Sequence, residues 1–433
     1  MSRASRLLWS VCVLGCAAEQ AAAPCDVTVP GTICTVVGSG LQAYFGDGGP
    51  ALEAALYVPQ DTAIAPDGEL WVIDFNNYTV RAVDKTGRIY GVIGTGLLGD
   101  SPAPGVTQTP ALEGKFNHTP SMVFHEGYLY LAAWHNSRIK RMSFTDRQVE
   151  NFAGLGKRTF YFGDGKPAIE AALDLPSSVA VDPISGEIVI MDQANQVIRA
   201  VGKDGIIRRV AGQCVVDLEV PCLEGQKPLA CPNSDKFTCT DPTYSCTLPC
   251  TPAFGGDDGP ALSFRMAQPY GQAADPAGRV AFLSTGDLLF ADTENHRLRK
   301  ITRVSGQPIE AGTVHTVTGT GVPGYSGEGG PADKAQINRP IDIAVSEDDV
   351  IYFTDTMNSC IRRIRTDGVI ERVAGKCSTA KADRGFAGDG GLALDAKLNR
   401  PYGIDLAGDR LYISDSYNNR IRVVNLRRAS LLL

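Results

Sequence analysis

The sequence predicts an all-β fold: a six-bladed β-propeller of four-stranded antiparallel blades, closed by pairing of an N-terminal strand with the last blade. The first observation is an eight-residue pattern, Asp-x-x-Asn-x-x-aliphatic-Arg. It is written at Asp74/Asn77/Arg81, Asp192/Asn195/Arg199, Asp292/Asn295/Arg299, Asp355/Asn358/Arg362 and Asp415/Asn418/Arg422, with a degraded sixth copy at Ala133/Asn136/Lys140. The asparagines are spaced by 59, 59, 100, 63 and 60 residues, so one unit recurs six times with one large insertion. The second observation is that each unit reads as four short β-rich runs separated by Gly, Asp, Pro and Asn turns, with no room for a long helix. Six such meanders bury their apolar faces most economically by packing radially. The third observation is that the last unit lacks the outer-strand phrase seen at Arg209-Val-Ala-Gly212 and Arg372-Val-Ala-Gly375, and Thr35-Val-Val-Gly38 supplies it at the other end of the chain.

Residues 1–15 read as a signal peptide, with two arginines followed by the short apolar core Leu7–Leu14. The run Val13-Leu-Gly-Cys16 is similar to a bacterial lipobox, which makes Cys16 the expected lipidation site and residues 16–31 a tether. Ordinary cleavage near Ala18 or Ala23 is the competing reading. The propeller is expected over 32–433, and the expected location is the cell envelope, with the lipid anchor as the only membrane contact.

Cysteine usage fits export. Setting aside Cys12 and Cys16, ten of the twelve cysteines remain. Cys214, Cys222, Cys231, Cys239, Cys246 and Cys250 crowd an insertion, 214–252, that is poor in aliphatic residues and calls for three disulfides whose pairing is open. A zinc knuckle is the rival, weakened by the absence of histidine and of any Cys-x-x-Cys pair there. Folding the hairpin about Asp367-Gly368 brings Cys360 close to Cys377, and Cys25 with Cys34 would close the N-terminal clasp.

The chain resembles the NHL-repeat propellers through its Thr-Val-x-Gly phrase, its Gly-Asp-Gly-Gly-Pro-Ala loop, its Pro-x-x-x-Ala-Val strand and the Asp-x-x-Asn-x-x-Ile-Arg pattern. The resemblance covers nearly all of 33–426. It implies the fold far more firmly than an activity, since members of that family include binding modules, sensor domains, RNA-binding domains and lyases.

A sixfold repeat argues for scaffold. The Asp, Asn and Arg of the motif are expected to pin the loop between second and third strands of each blade. The loop at Gly46-Asp-Gly-Gly-Pro50 and its counterparts is likewise structural, with a short helix expected at Ala51–Leu56; the ligands of one loop alone fall short of a Ca²⁺ cage, so no cofactor is expected, with calcium as the alternative.

Function is expected where the copies differ, on the face carrying the elaborate loops. Taking the two residues that follow each inner-strand proline gives a channel ring that includes Asp61, Tyr270, Asp342 and Tyr402, suited to a polar or partly aromatic ligand. Trp134 and His135 in the degraded motif add an asymmetric contact candidate. The expected function is a non-catalytic binding scaffold for a protein, glycan or small molecule; the alternative is a propeller lyase or hydrolase with a metal at the channel, approached by His118 and His135. A net charge of −7 without basic runs argues against nucleic acid.

Overall fold

In the computed structural model the described residues are 25–158, 161–215, 228–230, 237–239, 250–271 and 274–427. The expected signal segment and Cys16 lie outside them, as do Cys222, Cys231 and Cys246, while Cys239 is described through its backbone alone. No helix among the described residues is long and apolar enough to cross a membrane.

Among the described residues six antiparallel sheets of four or five strands follow one another in the chain, with a separate two-stranded pair, Pro228–Ala230 and Phe237–Cys239, in the insertion. The first blade runs Asp61–Ile64, Leu70–Asp74, Thr79–Val83 and Ile89–Ile93, from the centre outward. Two-residue alternation explains why its successors stack. Along Ile188–Asp192 every residue is buried, but Ile188 and Ile190 enter the apolar cluster shared with the second blade, whereas Val189 and Met191 enter the cluster shared with the fourth. Each strand therefore feeds two blade interfaces at once.

The ring closes as the missing outer phrase requires. Ile33–Val37 pairs antiparallel with Arg420–Asn425, Cys34 opposite Val423 and Val37 opposite Ile421, with Val36 in a bulge between. The clasp begins earlier than the expected tether allows. Asn425 donates from Nδ2 to the carbonyls of Val27 and Thr28, Gly31 N–H donates to the Asn425 carbonyl at 2.8 Å, and Cys25 is disulfide-bonded to Cys34. Residues 25–31 are thus part of the fold. At the same seam Gly403 admits the neighbouring blade: a Cβ there would lie 2.1 Å from the Gln60 carbonyl oxygen, so only glycine lets the two inner strands approach. Two further disulfides are described, Cys360–Cys377 across the fifth blade and Cys214–Cys250 at the base of the insertion.

The Gly-Asp-Gly-Gly-Pro loops cover the outer edges. Their last residues pair with the outermost strand of their own blade, as short fifth strands at Gln108–Pro110 and Lys166–Pro167 and as single bridges at Pro50–Arg88, Pro260–Thr313, Pro331–Val369 and Leu392–Thr32. The expected helix at Ala51–Leu56 is shorter than its sequence suggests. Only Ala51–Glu53 forms a 3₁₀ turn, because Ala54 turns extended and leads directly to the next inner strand.

Candidate functional site

The repeated motif builds a buried charge lock in each blade. In the first, Asp74 accepts from Tyr57 N–H at 2.7 Å, from Asn77 Nδ2 at 2.8 Å and from Arg81 Nη1 at 3.3 Å. Arg81 also reaches the loop acid Asp47 at 2.6 Å and the Ala55 and Phe45 carbonyls. Arg199, Arg299 and Arg422 repeat the arrangement with Asp164, Asp257 and Asp389, and all of these guanidiniums are fully buried. The loop acids that evoke calcium coordination are therefore engaged by arginine. An aromatic residue preceding each loop covers the guanidinium, at 5.2 Å for Tyr44 on Arg81 and 5.1 Å for Phe386 on Arg422.

The motif residues reach further than the single loop they were expected to pin. Within that loop the asparagine bonds its own aspartate in every intact copy: Asn195 donates to Asp192 at 2.9 Å, Asn358 to Asp355 at 2.9 Å and Asn418 to Asp415 at 2.8 Å, as Asn77 and Asn295 do in theirs. The same Nδ2 also crosses to the loop that enters the blade, where Asn77 meets the Ala43 carbonyl, Asn358 the Gly324 carbonyl and Asn418 the Gly385 carbonyl. Two loops distant in the chain are tied by one amide, because its two protons point to different acceptors. The fifth blade varies the lock. Arg362 is fully buried and donates to the Gln336 and Ser326 carbonyls at 3.0 Å, but it lies 3.5 Å from Asp355 and 3.8 Å from Glu328, the longer acid that replaces the loop aspartate. Glu328 instead accepts from Arg372 N–H and the Tyr325 hydroxyl, so its carboxylate is drawn off the guanidinium.

The degraded copy is a compensated pair of changes. Ala133 removes one carboxylate, and Lys140, in place of arginine, directs its ammonium to Asp100 at 2.6 Å, the Ser101 carbonyl and Asn151. Burial lowers the Lys140 pKa to about 8 against the opposing pull of Asp100.

Trp134 and His135 do not form an exposed contact. Trp134 is buried and stacks on His135 with centroids 4.1 Å apart; the His135 Nδ1 lies 3.1 Å from the His118 Nδ1. Burial, together with His135 beside His118 and Arg158 beside His135, lowers both imidazoles to about 4. This cluster packs between blades and does not line the channel.

The channel itself differs from the ring expected by counting from prolines. Of the four residues named for it, Asp61 and Asp342 line the central cavity, whereas Tyr270 is half exposed away from any inner strand and Tyr402 is buried with Ala277 and Ile341. The reason lies in the fourth blade. Its inner strand, Val280–Phe282, starts eleven residues after Pro269, and the described residues between them turn inward: Gln193 donates to the Pro269 and Asp275 carbonyls, Ala277 N–H donates to Gln193, and Ser177 donates to the Ala277 carbonyl. This segment occupies the loop-rich end of the channel, and it delivers Arg279 to the position that Asp61 holds in the first blade.

The cavity beyond it has a volume of about 730 Å³. Its rim includes Pro183, Ser284, Glu347 and Asp349, all from turns between first and second strands, so it opens on the face with the shorter turns. A girdle of hydrogen bonds joins the inner strands around it. Met122 N–H donates to Asp61, Val179 N–H to Ser121, Val280 N–H to Ser178 and Ile404 N–H to Asp342; Arg279 N–H donates to the Ile341 carbonyl and Ile64 N–H to Asp405.

The floor is ionic. Arg279 Nη1 lies 2.9 Å from Asp61 and 3.8 Å from Asp342, and Nη2 donates to the Gln60 and Pro120 carbonyls. Burial raises the Asp61 and Asp342 carboxyls despite Arg279, and raises Asp405 to about 7, with the charges of Asp61 and Asp342 adding to the effect. Sequence reasoning missed Arg279 and Asp405. Strand alternation carried two residues past Gly403 reaches Asp405; Arg279 had no comparable signal because Pro269 imitates the proline that precedes the other inner strands.

Repeat, blade and clasp define the class: the chain is a six-bladed β-propeller, and its repeats are similar to NHL repeats. The Teneurin NHL domain model matches residues 261–383. Human teneurin-1 is 26% identical over 431 residues, spanning 93% of this chain and 13% of that protein. Mouse teneurin-3 is 28% identical, spanning 86% of this chain and 12% of the relative, so the chain corresponds to a small part of these much longer proteins. A solved auxiliary nutrient binding protein from Bacteroides thetaiotaomicron superposes with a TM-score of 0.56 at 13% identity, over 90% of this chain and 75% of that one; the likeness is one of fold.

Proposed function

We propose that this protein is an exported, non-catalytic recognition module, held at the cell envelope through Cys16, that captures a small ligand in its central channel. The observation that carries the reading is the blind cavity: a pocket of about 730 Å³ closed at one end by residues 274–279 and open at the other. Its volume lies within the ~300–1,000 Å³ common for ligand sites, and its walls mix apolar side chains with polar and charged groups at the floor and rim. Export is supported by the lipobox-like leader and by disulfides that persist in oxidising compartments. The lyase reading loses its motivating residues, since neither His118 nor His135 reaches the cavity.

Filling the cavity tests the reading. Wild type and a Val345→Trp variant, checked for fold by circular dichroism, are compared by thermal shift across a metabolite library. Compounds that stabilise wild type by several degrees lose that effect in the variant; stabilisation equal in both, or none in either, refutes the channel as the site. Anchoring has its own readout in a bacterial host, where labelling of the full chain with radioactive palmitate is abolished by Cys16→Ser.

A further inference from the structure

We infer that the loop-rich end of the sixth blade is a docking surface for a protein partner whose contact segment mixes carboxylates with apolar side chains. This surface lies on the face opposite the cavity mouth and is independent of the channel. The loop that enters the sixth blade is elongated: Gly388 lies thirteen positions after Gly375, whereas Gly46 lies eight after Gly38 and Gly327 eight after Gly319. The added stretch sits between the motif loops of the fifth and sixth blades. Ser378 N–H donates to the Asn358 carbonyl at 2.9 Å, Arg384 Nη2 to the Met357 carbonyl at 2.9 Å, and Asn418 Nδ2 to the Gly385 carbonyl. The Cys360–Cys377 disulfide fixes its base.

Cations gather there without carboxylate partners. Residues 376–400 carry Lys376, Lys381, Arg384, Lys397 and Arg400 against Asp383, Asp389 and Asp395, and Arg420 joins them from the strand Arg420–Asn425. Asp389 is held by Arg422. Among the described residues none of the six cations forms an ion pair: Arg384, Lys397 and Arg420 donate to backbone carbonyls, and Arg400 lies over Tyr417. Lys397 Nζ meets the Ala382 carbonyl, which draws it against the added stretch. In a chain of net charge −7 this patch is a local reversal of sign, and it steers acidic partners to one place.

A separate observation selects protein over other polyanions. Phe386, Tyr417 and Leu41 are 41%, 43% and 59% exposed beside the same cations. Arg420 lies over the Phe386 ring at 3.7 Å and packs against Gly40, the residue before Leu41, while Arg400 lies over Tyr417 at 5.0 Å. A guanidinium thus already occupies one face of each ring, where a sugar or base would stack, and the ring edges and Leu41 are left for aliphatic contact. Exposed aromatics combined with arginines are the composition of protein interface centres. An acidic polysaccharide would answer the cations and leave these apolar groups in water.

Biolayer interferometry of the full chain against the random copolymer poly(Glu,Tyr), with polygalacturonate at equal carboxylate concentration as the polysaccharide control, tests the inference. The copolymer is expected to bind about tenfold more tightly than polygalacturonate, and to weaken as salt rises. Lys376→Glu with Lys381→Glu, both exposed, is expected to cost about tenfold. Lys85→Glu with Lys203→Glu, an equal change of net charge at exposed turns of the other face, stays within about twofold of wild type. Arg400→Gln repeats the loss through a single change, and melting temperatures show that each variant folds. If the copolymer fails to bind, or if both double variants lose affinity equally, the docking surface falls. If polygalacturonate binds as tightly as the copolymer, the patch takes polyanions in general and the protein partner falls. The Val345→Trp comparison is untouched by these outcomes, so the channel reading stands or falls on its own.

Discussion

Replacing Arg299 by methionine is expected to destabilise the protein by about 3–5 kcal/mol, the cost of leaving one side of a buried ion pair unpartnered. Arg299 is fully buried, bonds Asp257 at 2.7 Å and Asp292 at 3.3 Å, and donates to the Arg265 and Gly255 carbonyls. Its removal leaves Asp292 with only Asn295 and the Ala267 N–H as donors. Burial already pushes that carboxyl up to about 6, and loss of the guanidinium pushes it higher. The second blade supplies the control. There Ala133 and Lys140 stand together, so the double change Asp292→Ala with Arg299→Lys is expected to recover part of the loss, because one ammonium then has one carboxylate, Asp257, to satisfy. Urea denaturation followed by tryptophan fluorescence reads both values. A cost under about 1 kcal/mol for Arg299→Met would place the lock among weak surface pairs and contradict its burial.

Asp405→Asn is expected to change how stability depends on pH. The Asp405 carboxyl sits at about 7 in the folded chain, raised by burial and by Asp61 and Asp342, against about 3.9 when unfolded. A raised carboxyl contributes stability that is present in full below the unfolded value and is lost as pH rises through the folded one. Between roughly pH 4 and pH 7 the wild type therefore loses about 1.4 kcal/mol per pH unit through this group, and asparagine does not. The variant gains on wild type as pH rises, by about 4 kcal/mol across the window, after which the difference is constant. Relief of Asp61 and Asp342 from a neighbouring charge acts in the same direction. Parallel unfolding curves for the two proteins from pH 4 to 8 would show that Asp405 is ionised normally, and the account of the channel floor would fail.

Neither expectation could be framed without the tertiary structure, although both concern residues plain in the chain. The motif arginines were legible as scaffold because Asp74 and Arg81 are seven positions apart and the pair recurs in five of the six units; their second partner, the loop acid Asp47, needed the fold to bring it across 34 residues. The asparagines divide in the same way. The bond from Asn418 to Asp415 spans three positions and could be read from the pattern, whereas its bond to the Gly385 carbonyl spans 33 and could not. Asp61 and Asp342 were found by counting from prolines, but the same counting selected Tyr270, where the fourth blade departs from the pattern.

The sequence alone determined the number of blades, the order of strands within them and the pairing of Ile33–Val37 with the last blade, since side-chain alternation and turn chemistry act over a few neighbouring residues and repeat wherever those residues repeat. Only the tertiary structure decided which end of the channel is open and which charges meet at its floor. That site takes one or two side chains from each of several blades, about sixty or more residues apart, and its closed end is made by an inner stretch, residues 274–279, that does not follow the repeat.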